Sequence, residues 1–242
     1  MRVLDITLNS PAENLALDEA LLNRVASGNA PDTVRLWESV TPFVVIGSSQ
    51  RYREVVNHFQ CLRDEVPILR RCSAGGAVLQ GPGCLNYALV LSYEAYPAAA
   101  DLHGSYAYIL DRVAAALRRL GVVARREGIS DLAVGVRKVS GNAQRRKRSA
   151  CLHHGTLLYH ITPEAMVRYL HEPQDRPDYR GDRAHADFVG VLPATADQLR
   201  SVVQEAFAPR AQASTTLSTE ESETVQHLVR EKYTQDAWTY RR

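Results

Sequence analysis

The sequence predicts an α+β fold in which a mixed central β-sheet is flanked by helices. Segments with the two-residue period of strands alternate along the chain with segments of helical period, and no internal repeat is visible. The length of 242 residues is enough for one buried core. A hydrophobic content of 45% with 23% charged residues is ordinary for a globular protein and unlike disordered or fibrous classes. We therefore expect one domain that spans residues 1–242.

Charge, hydropathy and cysteine usage narrow the functional class. A net charge of +2 provides no global field that would attract nucleic acid or an anionic membrane. No apolar run approaches the ~20 residues that a membrane span requires, and the N-terminus lacks the apolar stretch of an export signal. The four cysteines form no Cys-x-x-Cys pair, which is unlike a zinc site or a disulfide framework. These patterns predict a cytoplasmic protein that binds neither nucleic acid nor membrane.

Local signals predict the elements of the first part of the chain. Residues Arg2 to Leu8 alternate polar and apolar side chains, as a half-buried strand does. Ser10 and Glu13 form a capping box with Pro11 at the first helical position, which predicts a helix as far as Ser27. The next predicted elements are strands at Val34–Trp37 and Phe43–Gly47, a short helix at Tyr52–His58 and a strand at Val66–Leu69.

The middle of the chain combines a glycine-rich segment with further strands. This segment, Arg70 to Gly83, precedes an apolar strand predicted at Tyr87–Ser92. Residues Ser105 to Leu120 have helical period, with apolar side chains on one face. The strands predicted after this helix are Val122–Arg126, Leu132–Val134, Lys138–Ala143 and Cys151–Tyr159, with a hairpin turn at Val134-Gly135-Val136.

The last third of the chain is richer in helix signals. Helices are predicted to start at Thr162-Pro163, at Thr195 with Gln198 completing a capping box, and at Ser218 with Glu221. A polar loop from His171 to Val191 lies between the first two. Such long loops in compact domains are typical of lids or of disordered segments.

The strongest local pattern is RRCSAGGAVLQGPGCLNYAL, Arg70 to Leu89. Glycine lets backbone N–H groups approach an anion closely, and a neighbouring arginine can bind phosphate in a two-pronged geometry. The segment contains neither the P-loop pattern nor the dinucleotide fingerprint. It therefore indicates an anion site of another kind, or a glycine-rich turn between strands.

A second pattern surrounds Lys138, in RKVSGNAQ, and is followed by HHGTLLY. An ammonium group beside small residues is a good partner for a phosphoryl or acyl-phosphate oxygen. The alternative is a lysine that protects a strand edge. His153 and His154 are adjacent on a predicted strand, so their side chains face opposite sides and cannot bind one metal together. We expect one of them in the core or the site and the other in solvent.

These two segments, in this order, resemble the lipoate–protein ligase family. The family's two arginines and glycine loop match Arg70, Arg71, Ser73, Gly75, Gly76, Ala77 and Val78. Its later motifs match Asp131-Leu132, Lys138 to Ala143 and His153 to Leu158. Its N-terminal motifs match Ala16 to Ala20, Arg35 to Trp37 and Val45 to Gly47. The resemblance covers most of residues 1–170, and the combination is specific although each motif alone is not.

The resemblance implies a fold shared with biotin and lipoate ligases and an acyl-adenylate bound between the glycine loop and the lysine motif. It implies that Lys138 is the catalytic group, which neutralises the α-phosphate and the carbonyl oxygen. It assigns Arg71 and the backbone of Gly75 to Ala77 to the phosphate and acyl carbonyl. The other residues that it places at the substrate or adenylate are Ser73, Gly76, Asn86, Asp131, Ser140, Gly141, Ala143 and His154. Asp131 is a candidate for the adenosine side or for Mg²⁺, and the apolar acyl slot is assigned to Val45, Val78 and Leu158.

Three features depart from the family pattern. Ala74 replaces the first of three glycines, where its methyl group matters only if the position needs positive φ. Gln80-Gly81 stands where His-Asp is common, and Gln80-Gly81-Pro82-Gly83 resembles the His-Gly-Pro-Gly of octanoyltransferases that work through a thioester. The related cysteine-dependent branch places its cysteine shortly before the Asp131 strand, but residues 121–135 contain none. Cys84 and Cys151 are expected to be small packed residues. The third departure is the expected absence of the family's C-terminal accessory domain.

The resemblance therefore predicts an ATP- and Mg²⁺-dependent ligase that activates lipoate or octanoate to acyl-AMP and transfers it to a lysine. The expected partners are a lipoyl-carrier protein (the lipoyl domain of a 2-oxoacid dehydrogenase or a glycine cleavage H protein) and a separate accessory subunit. Two alternatives stay open: an ATP-independent transferase that uses a preformed acyl donor, and a non-catalytic module that binds a lipoyl domain. The basic turn Arg145 to Arg148 suits docking of an acidic lipoyl domain or forms a solvated hairpin tip.

Overall fold

Two β-sheets organise the computed structural model of the protein, which describes residues 1–173 and 176–242. The strands, in chain order, are β1 (Arg2–Asp5), β2 (Thr33–Trp37), β3 (Phe43–Ile46), β4 (Ile68–Arg70), β5 (Val78–Gln80), β6 (Cys84–Ser92), β7 (Ala124–Glu127), β8 (Asp131–Val134), β9 (Arg137–Arg146), β10 (Ala150–Leu158) and β11 (Ala213–Ser214). The large sheet has the order β11-β1-β2-β6-β10-β9-β8-β7, and the small sheet has the order β4-β3-β5. Parallel pairing joins β11, β1 and β2, whereas the other pairs of the large sheet are antiparallel. The predicted α+β fold with a mixed sheet is confirmed.

Helices and the small sheet cover the two faces of the large sheet. The helices are α1 (Pro11–Ala26), α2 (Tyr52–Val55), α3 (His58–Arg63), α4 (Leu102–Leu117), α5 (Pro163–Tyr169), α6 (His185–Phe188), α7 (Ala196–Phe207), α8 (Thr219–Leu228) and α9 (Asp236–Thr239). Helices α4 and α7 pack on one face, and α1, α8 and β3 pack on the other. A third core lies on the outer side of the small sheet, against α3 and α5.

The period of two in the central strands separates these cores. In β6, Leu85, Tyr87 and Leu89 contact the α4 side, while Ala88 and Val90 contact the α1 side. Both faces are buried, so the strand is apolar along nearly its whole length. The same alternation directs the polar side chains of β6, β9 and β10 either into a core or into the space between the two sheets.

Most helix starts are where the capping signals predict them. The capping boxes of Ser10 with Glu13, Thr195 with Gln198, and Ser218 with Glu221 all form. Element ends differ more, because they depend on pairing partners. Strand β1 ends at Asp5 rather than Leu8, and β6 begins at Cys84 rather than Tyr87. The helix predicted at Tyr52–His58 is two short helices, α2 and α3, and strand β5 inside the glycine-rich segment was not predicted.

The long polar loop has structure of its own where it is described. A 3₁₀ turn at Asp178–Arg180 and helix α6 lie within it, and the peptide N–H of Gly190 donates to the carbonyl of Lys138 at 2.9 Å. Residues 174 and 175 of this predicted lid lie outside the described residues. The part from 176 to 191, which we call the covering segment, packs against the start of β9. Within residues 1–173 and 176–242, no helix has both the length and the apolar composition needed to cross a membrane.

Candidate active site

Two connected cavities lie between the large and small sheets. The inner cavity has a volume of about 180 Å³ and the outer cavity about 570 Å³. Both are lined by Ala77, Gln80, Asp131, Lys138 and Thr156, so they share one wall. Ligand sites of enzymes have volumes of roughly 300–1,000 Å³. The outer cavity lies within that range by itself, whereas the inner cavity is smaller.

Ten of the twelve predicted site residues line the inner cavity. They are Arg71, Gly75, Gly76, Ala77, Asn86, Asp131, Lys138, Gly141, Ala143 and His154. The other two, Ser73 and Ser140, line neither cavity, although both were expected to bind the ligand. Ser73 is fully buried behind the glycine loop, and Ser140 is fully buried on the opposite face of β9, where Asn142 donates to its hydroxyl.

A β-bulge explains which residues of β9 reach the cavity. In a regular strand, Lys138 and Gly141 would face opposite sides because their spacing is odd. The pairing of β8 with β9 shifts here: Ala133 is opposite Lys138, Leu132 is opposite Ser140, and Val139 is left without a partner. A bulge turns the strand by one residue and is common next to active sites. It brings Lys138 to the side of Gly141 and Ala143 and sends Ser140 to the other side.

Lys138 is held by a carboxylate at the wall that the cavities share. Its Nζ lies 2.8 Å from Oδ1 of Asp131, and the Tyr179 hydroxyl donates to Oδ2 of the same carboxylate at 2.7 Å. A Cβ on Gly141 would lie 3.0 Å from Nζ of Lys138, so glycine leaves the room that the ammonium group occupies. Asp131 is therefore the partner of the predicted catalytic lysine. Tyr179, which was not predicted, is the second partner of Asp131.

Arg71 holds the glycine loop in place through hydrogen bonds. Its Nε donates to Oγ of Ser73 at 3.0 Å, and its Nη2 donates to the carbonyls of Ala74 at 2.7 Å and Gly76 at 2.9 Å. Burial lowers the pKa of Arg71 to about 10, which still leaves the guanidinium charged at neutral pH. Among the described residues, no carboxylate lies within 4.0 Å of it. This uncompensated charge favours an anion at the loop.

The loop tolerates Ala74 but depends on glycine at two other positions. Positive φ occurs at Gly75 (+95°), whereas Ala74 has no positive φ, so its methyl group causes no backbone strain. Gly47, which was not singled out as a site residue, lies at the end of β3 beneath the loop. A Cβ there would be 2.0 Å from the carbonyl oxygen of Gly75. The close approach of β3 to the loop therefore requires a glycine.

His154 belongs to a chain of polar groups that runs from the core to the loop. Its Nδ1 lies 3.1 Å from Asp18, its Nε2 lies 2.6 Å from Oγ of Ser73, and Asp18 pairs with the fully buried Arg35 at 2.6 Å. Burial raises the pKa of Asp18, but Arg35 and His154 outweigh burial and hold that pKa below its ordinary value. Asp18 lines the inner cavity and was absent from the predicted site, although it lies in the Ala16–Ala20 motif.

The expectation for the histidine pair was half wrong. The two side chains do face opposite sides of β10, but neither faces solvent. His153 is fully buried, with Nδ1 3.1 Å from the amide of Gln144 and Nε2 3.3 Å from Oδ1 of Asn142. Burial and the neighbouring His154 lower the pKa of His153 to about 3, so it stays neutral as a core residue.

A closed ring of three hydrogen bonds lies at the wall that the cavities share. Gln80 donates to Thr156 at 2.7 Å, Thr156 donates to Asn86 at 2.8 Å, and Asn86 donates to Gln80 at 2.9 Å. Gln80 thus fills the family's histidine position with a neutral amide that has two partners. Thr156 was missed as a site residue, although its spacing of two from His154 places it on the same face of β10.

Apolar side chains line the inner cavity beside these polar groups. They include two of the predicted acyl-slot residues, Val45 and Val78, together with Leu15 and Trp37. The third, Leu158, lines the outer cavity and not the inner one. The inner cavity therefore offers apolar contacts to a hydrocarbon chain.

The four cysteines line neither cavity. Cys61, Cys72, Cys84 and Cys151 are all buried thiols. Burial raises the pKa of Cys84 to about 12 and that of Cys151 to about 11, so both remain protonated at neutral pH. The prediction that Cys84 and Cys151 are packed residues is confirmed.

The described residues also do not form a protein-held metal site. No group of three or more His, Cys, Asp or Glu residues among them could hold an ion. Asp131 was the candidate ligand for Mg²⁺, but both of its carboxylate oxygens already have partners. A single engaged carboxylate does not fit a resident Mg²⁺, which uses one or two free carboxylates together with substrate phosphates.

The basic turn lies at the tip of the β9–β10 hairpin, away from both cavities. Arg145, Lys147 and Arg148 are exposed. Arg146 instead donates to the carbonyls of Ala99 and Ala100. One arginine of this turn therefore binds the hairpin to the 3₁₀ turn Pro97–Ala100, which precedes α4.

Comparison with known proteins identifies the family. The model of the lipoyl protein ligase A/B catalytic domain matches residues 10–209. The octanoyltransferase LipM of Kyrpidia tusciae is 31% identical over 274 aligned positions, which cover 100% of this chain and 98% of that protein. The lipoate-protein ligase LplJ of Bacillus subtilis is 25% identical, with 97% of this chain and 72% of that protein covered.

A solved structure shares the fold over nearly the whole chain. The bi-partite lipoate protein ligase of Thermoplasma acidophilum superimposes with a TM-score of 0.81 at 22% identity, covering 99% of this chain and 96% of that one. The matched family model and the relative of 31% identity confirm the resemblance that the motifs indicated. The chain belongs to the lipoyl protein ligase A/B catalytic domain family, whose members include lipoate ligases and octanoyltransferases.

Proposed function

We propose that this family member is a lipoate–protein ligase, which activates lipoate or octanoate with ATP and transfers the acyl group to a lysine of a lipoyl-carrier protein. The observation that carries the proposal is the position of two cations at the junction of the cavities. Arg71 and Lys138 both line the apolar inner slot, and Lys138 also lines the outer cavity. An acyl phosphate ester joins an apolar chain to an anion at such a junction.

In the first half-reaction, the acid occupies the inner slot with its carboxylate towards the junction. The carboxylate attacks the α-phosphorus of ATP, and pyrophosphate leaves. Lys138 and Arg71 offset the negative charge that otherwise repels this attack. The outer cavity, walled by the covering segment, holds the adenosine.

In the second half-reaction, the neutral amine of the acceptor lysine attacks the acyl carbonyl carbon, AMP leaves, and the amine loses its proton. Lys138 stabilises the negative charge on the carbonyl oxygen and acts as an electrostatic group, not as a nucleophile. Loss of one such group from an active site typically lowers the rate by about 10²–10³-fold. A Lys138→Ala variant with undiminished transfer would contradict this role.

The cysteines favour the adenylate route over a thioester. A thioester transferase needs a thiol at the acyl carbonyl, but all four thiols are buried outside the two cavities. Support for the alternative, an ATP-independent transferase, comes from the octanoyltransferase relative and from the Gln80-Gly81-Pro82-Gly83 segment. A non-catalytic module is the weakest candidate, because Lys138 retains an ordered carboxylate partner at the cavity.

The acceptor protein and the accessory subunit are proposed by analogy with a structure that shares the fold. The Thermoplasma structure is described as a bi-partite ligase with its E2 lipoyl domain. By analogy, this chain would modify a lipoyl domain and would use a separate subunit during activation. A cytoplasmic location follows from the same proposal, since its substrates would be there.

One assay separates the candidate functions. The protein, with and without the accessory subunit, is incubated with an isolated lipoyl domain and Mg²⁺. The acyl source is either lipoate plus ATP, lipoate alone, or an octanoyl-carrier protein without ATP. Mass spectrometry of the domain and pyrophosphate release are both recorded. The ligase proposal expects modification only with lipoate and ATP, accompanied by pyrophosphate. Modification from the octanoyl carrier without ATP would show a transferase and overturn the proposal.

A further inference from the structure

The covering segment reaches the catalytic centre through one hydroxyl group. Tyr179 lies in the 3₁₀ turn Asp178–Arg180, and its hydroxyl donates to Oδ2 of Asp131 at 2.7 Å. The other oxygen, Oδ1, lies 2.8 Å from Nζ of Lys138. One nearly buried carboxylate therefore binds a tyrosine of the covering segment on one side and the lysine on the other.

The same segment also fixes the main chain of the lysine. The N–H of Gly190 donates to the carbonyl of Lys138 at 2.9 Å, and Val189 forms a parallel bridge to Lys138. The neighbouring Arg137 donates to the carbonyl of Val189 at 3.3 Å. The backbone and the charged end of Lys138 thus both depend on this segment.

Contacts within the covering segment, and one ion pair with Glu172 outside it, position Tyr179. Arg180 pairs with Glu172, donates to the carbonyl of Arg183 at 3.0 Å, and lies 4.8 Å from the ring centroid of Phe188. The ring of Tyr179 packs on that of Phe188 with a centroid distance of 5.2 Å. These contacts fix the direction of the hydroxyl before any ligand binds.

The hydroxyl can act as a donor throughout the usual assay range. Burial and the adjacent Asp131 both raise the pKa of Tyr179, so it remains protonated. A lysine side chain has four rotatable carbons and no preferred direction by itself. The hydrogen bond from Tyr179 stops the Asp131 carboxylate from rotating. A fixed carboxylate restricts the ammonium group of Lys138 more than a freely rotating carboxylate would.

We propose that Tyr179 is a positioning residue for the reaction, which orients Asp131 and through it Lys138, so that the ammonium group is in place only when the covering segment is docked. The effect of Tyr179 on the reaction rate rests on the proposed function. The structural consequence, the restraint on Lys138, is independent of the reaction.

The test compares Tyr179→Phe with a matched control, Tyr169→Phe. Tyr169 also donates its hydroxyl to a carboxylate, Asp64 at 3.1 Å, but lines neither cavity. The first measurement is the rate at which an amine-reactive acetylating reagent labels each lysine, read by mass spectrometry. Lys138 should be labelled faster in Tyr179→Phe than in wild type or in the control. Exposed Lys147 is the internal reference and should not change.

The second measurement is the kcat of pyrophosphate release with lipoate and ATP. Loss of a hydrogen bond to a charged group should lower kcat by about tenfold in Tyr179→Phe and leave the KM for lipoate unchanged. In an Asp131→Asn background, the same substitution should have almost no further effect, since it acts through that carboxylate. Melting temperatures of all variants show whether a change reflects folding.

Each outcome decides the role of Tyr179. Unchanged labelling of Lys138 in Tyr179→Phe overturns the proposal whether or not the wild type is active. The proposal is also overturned if the double variant loses kcat by the product of the two single losses, because Tyr179 and Asp131 would then act separately. If wild-type protein releases no pyrophosphate while Lys138 labelling still rises in Tyr179→Phe, the ligase function fails and the positioning role stands.

Discussion

Gly141→Ala tests the position of the lysine without changing its charge. The new Cβ would lie 3.0 Å from both Cε and Nζ of Lys138. Ordinary contacts between such atoms are about 3.5–4.0 Å, so the ammonium group must move by roughly 0.5–1 Å. Gly141 has no positive φ, and the backbone can accept alanine without strain.

The expected kinetic loss follows from that displacement. A misplacement of about 1 Å in an active site can cost about 10²-fold in rate, so kcat for adenylate formation should fall by roughly 10–100-fold. The assay is pyrophosphate release at saturating ATP and lipoate, together with the melting temperature. Gly104→Ala, on helix α4, is the matched control, because its Cβ would also lie 3.0 Å from the end of a side chain, that of the N-cap residue Asp101. It should keep the wild-type rate.

Two results would refute the reasoning. A Gly141→Ala variant with the wild-type kcat would mean that the rate does not depend on where the ammonium group lies. If Gly141→Ala lowers both kcat and the melting temperature while Gly104→Ala lowers neither, the loss of kcat would indicate a folding defect instead of a displaced Lys138.

Three further predictions concern the cysteines, the core histidine and the buried ion pair. Replacing both Cys84 and Cys151 by alanine should leave acyl transfer intact, as measured by mass spectrometry of the acceptor; complete loss of transfer with the fold retained would revive the thioester route. Burial holds the pKa of His153 at about 3 in the folded protein, whereas the ordinary pKa of histidine is about 6.5. Between these two values, His153 therefore takes up a proton in the unfolded chain but not in the native one. Wild-type stability should therefore fall as pH decreases through this window, by about 2 kcal/mol more than that of His153→Gln between pH 7 and pH 5, in urea unfolding; parallel pH profiles would contradict it. Asp18→Asn leaves the Arg35 charge buried and unpaired, which should cost about 3–5 kcal/mol of unfolding free energy by the same method, whereas a cost below about 1 kcal/mol would show that the pair is dispensable.

The element pattern and the site motifs could be predicted from local sequence. Capping boxes are formed by residues three apart, and strand periodicity reflects alternate burial, so both signals are complete within a short window. The glycine loop, Lys138 and His154 were found in the same way, as motifs of adjacent residues. These segments identified the family and the chemistry that Arg71 and Lys138 can support.

Which of those residues face the ligand space was decided only by tertiary structure. The bulge at Val139 depends on how β8 pairs with β9, and it alone separates Lys138 from Ser140. The partners of the lysine illustrate the same limit: Tyr179 lies 48 residues from Asp131 along the chain. Short-range periodicity determines which residues form a strand, whereas contacts between distant segments determine which face each side chain occupies. The sequence alone therefore determined the family and its cationic groups, and the packing of the covering segment against β9 decided how those groups are held.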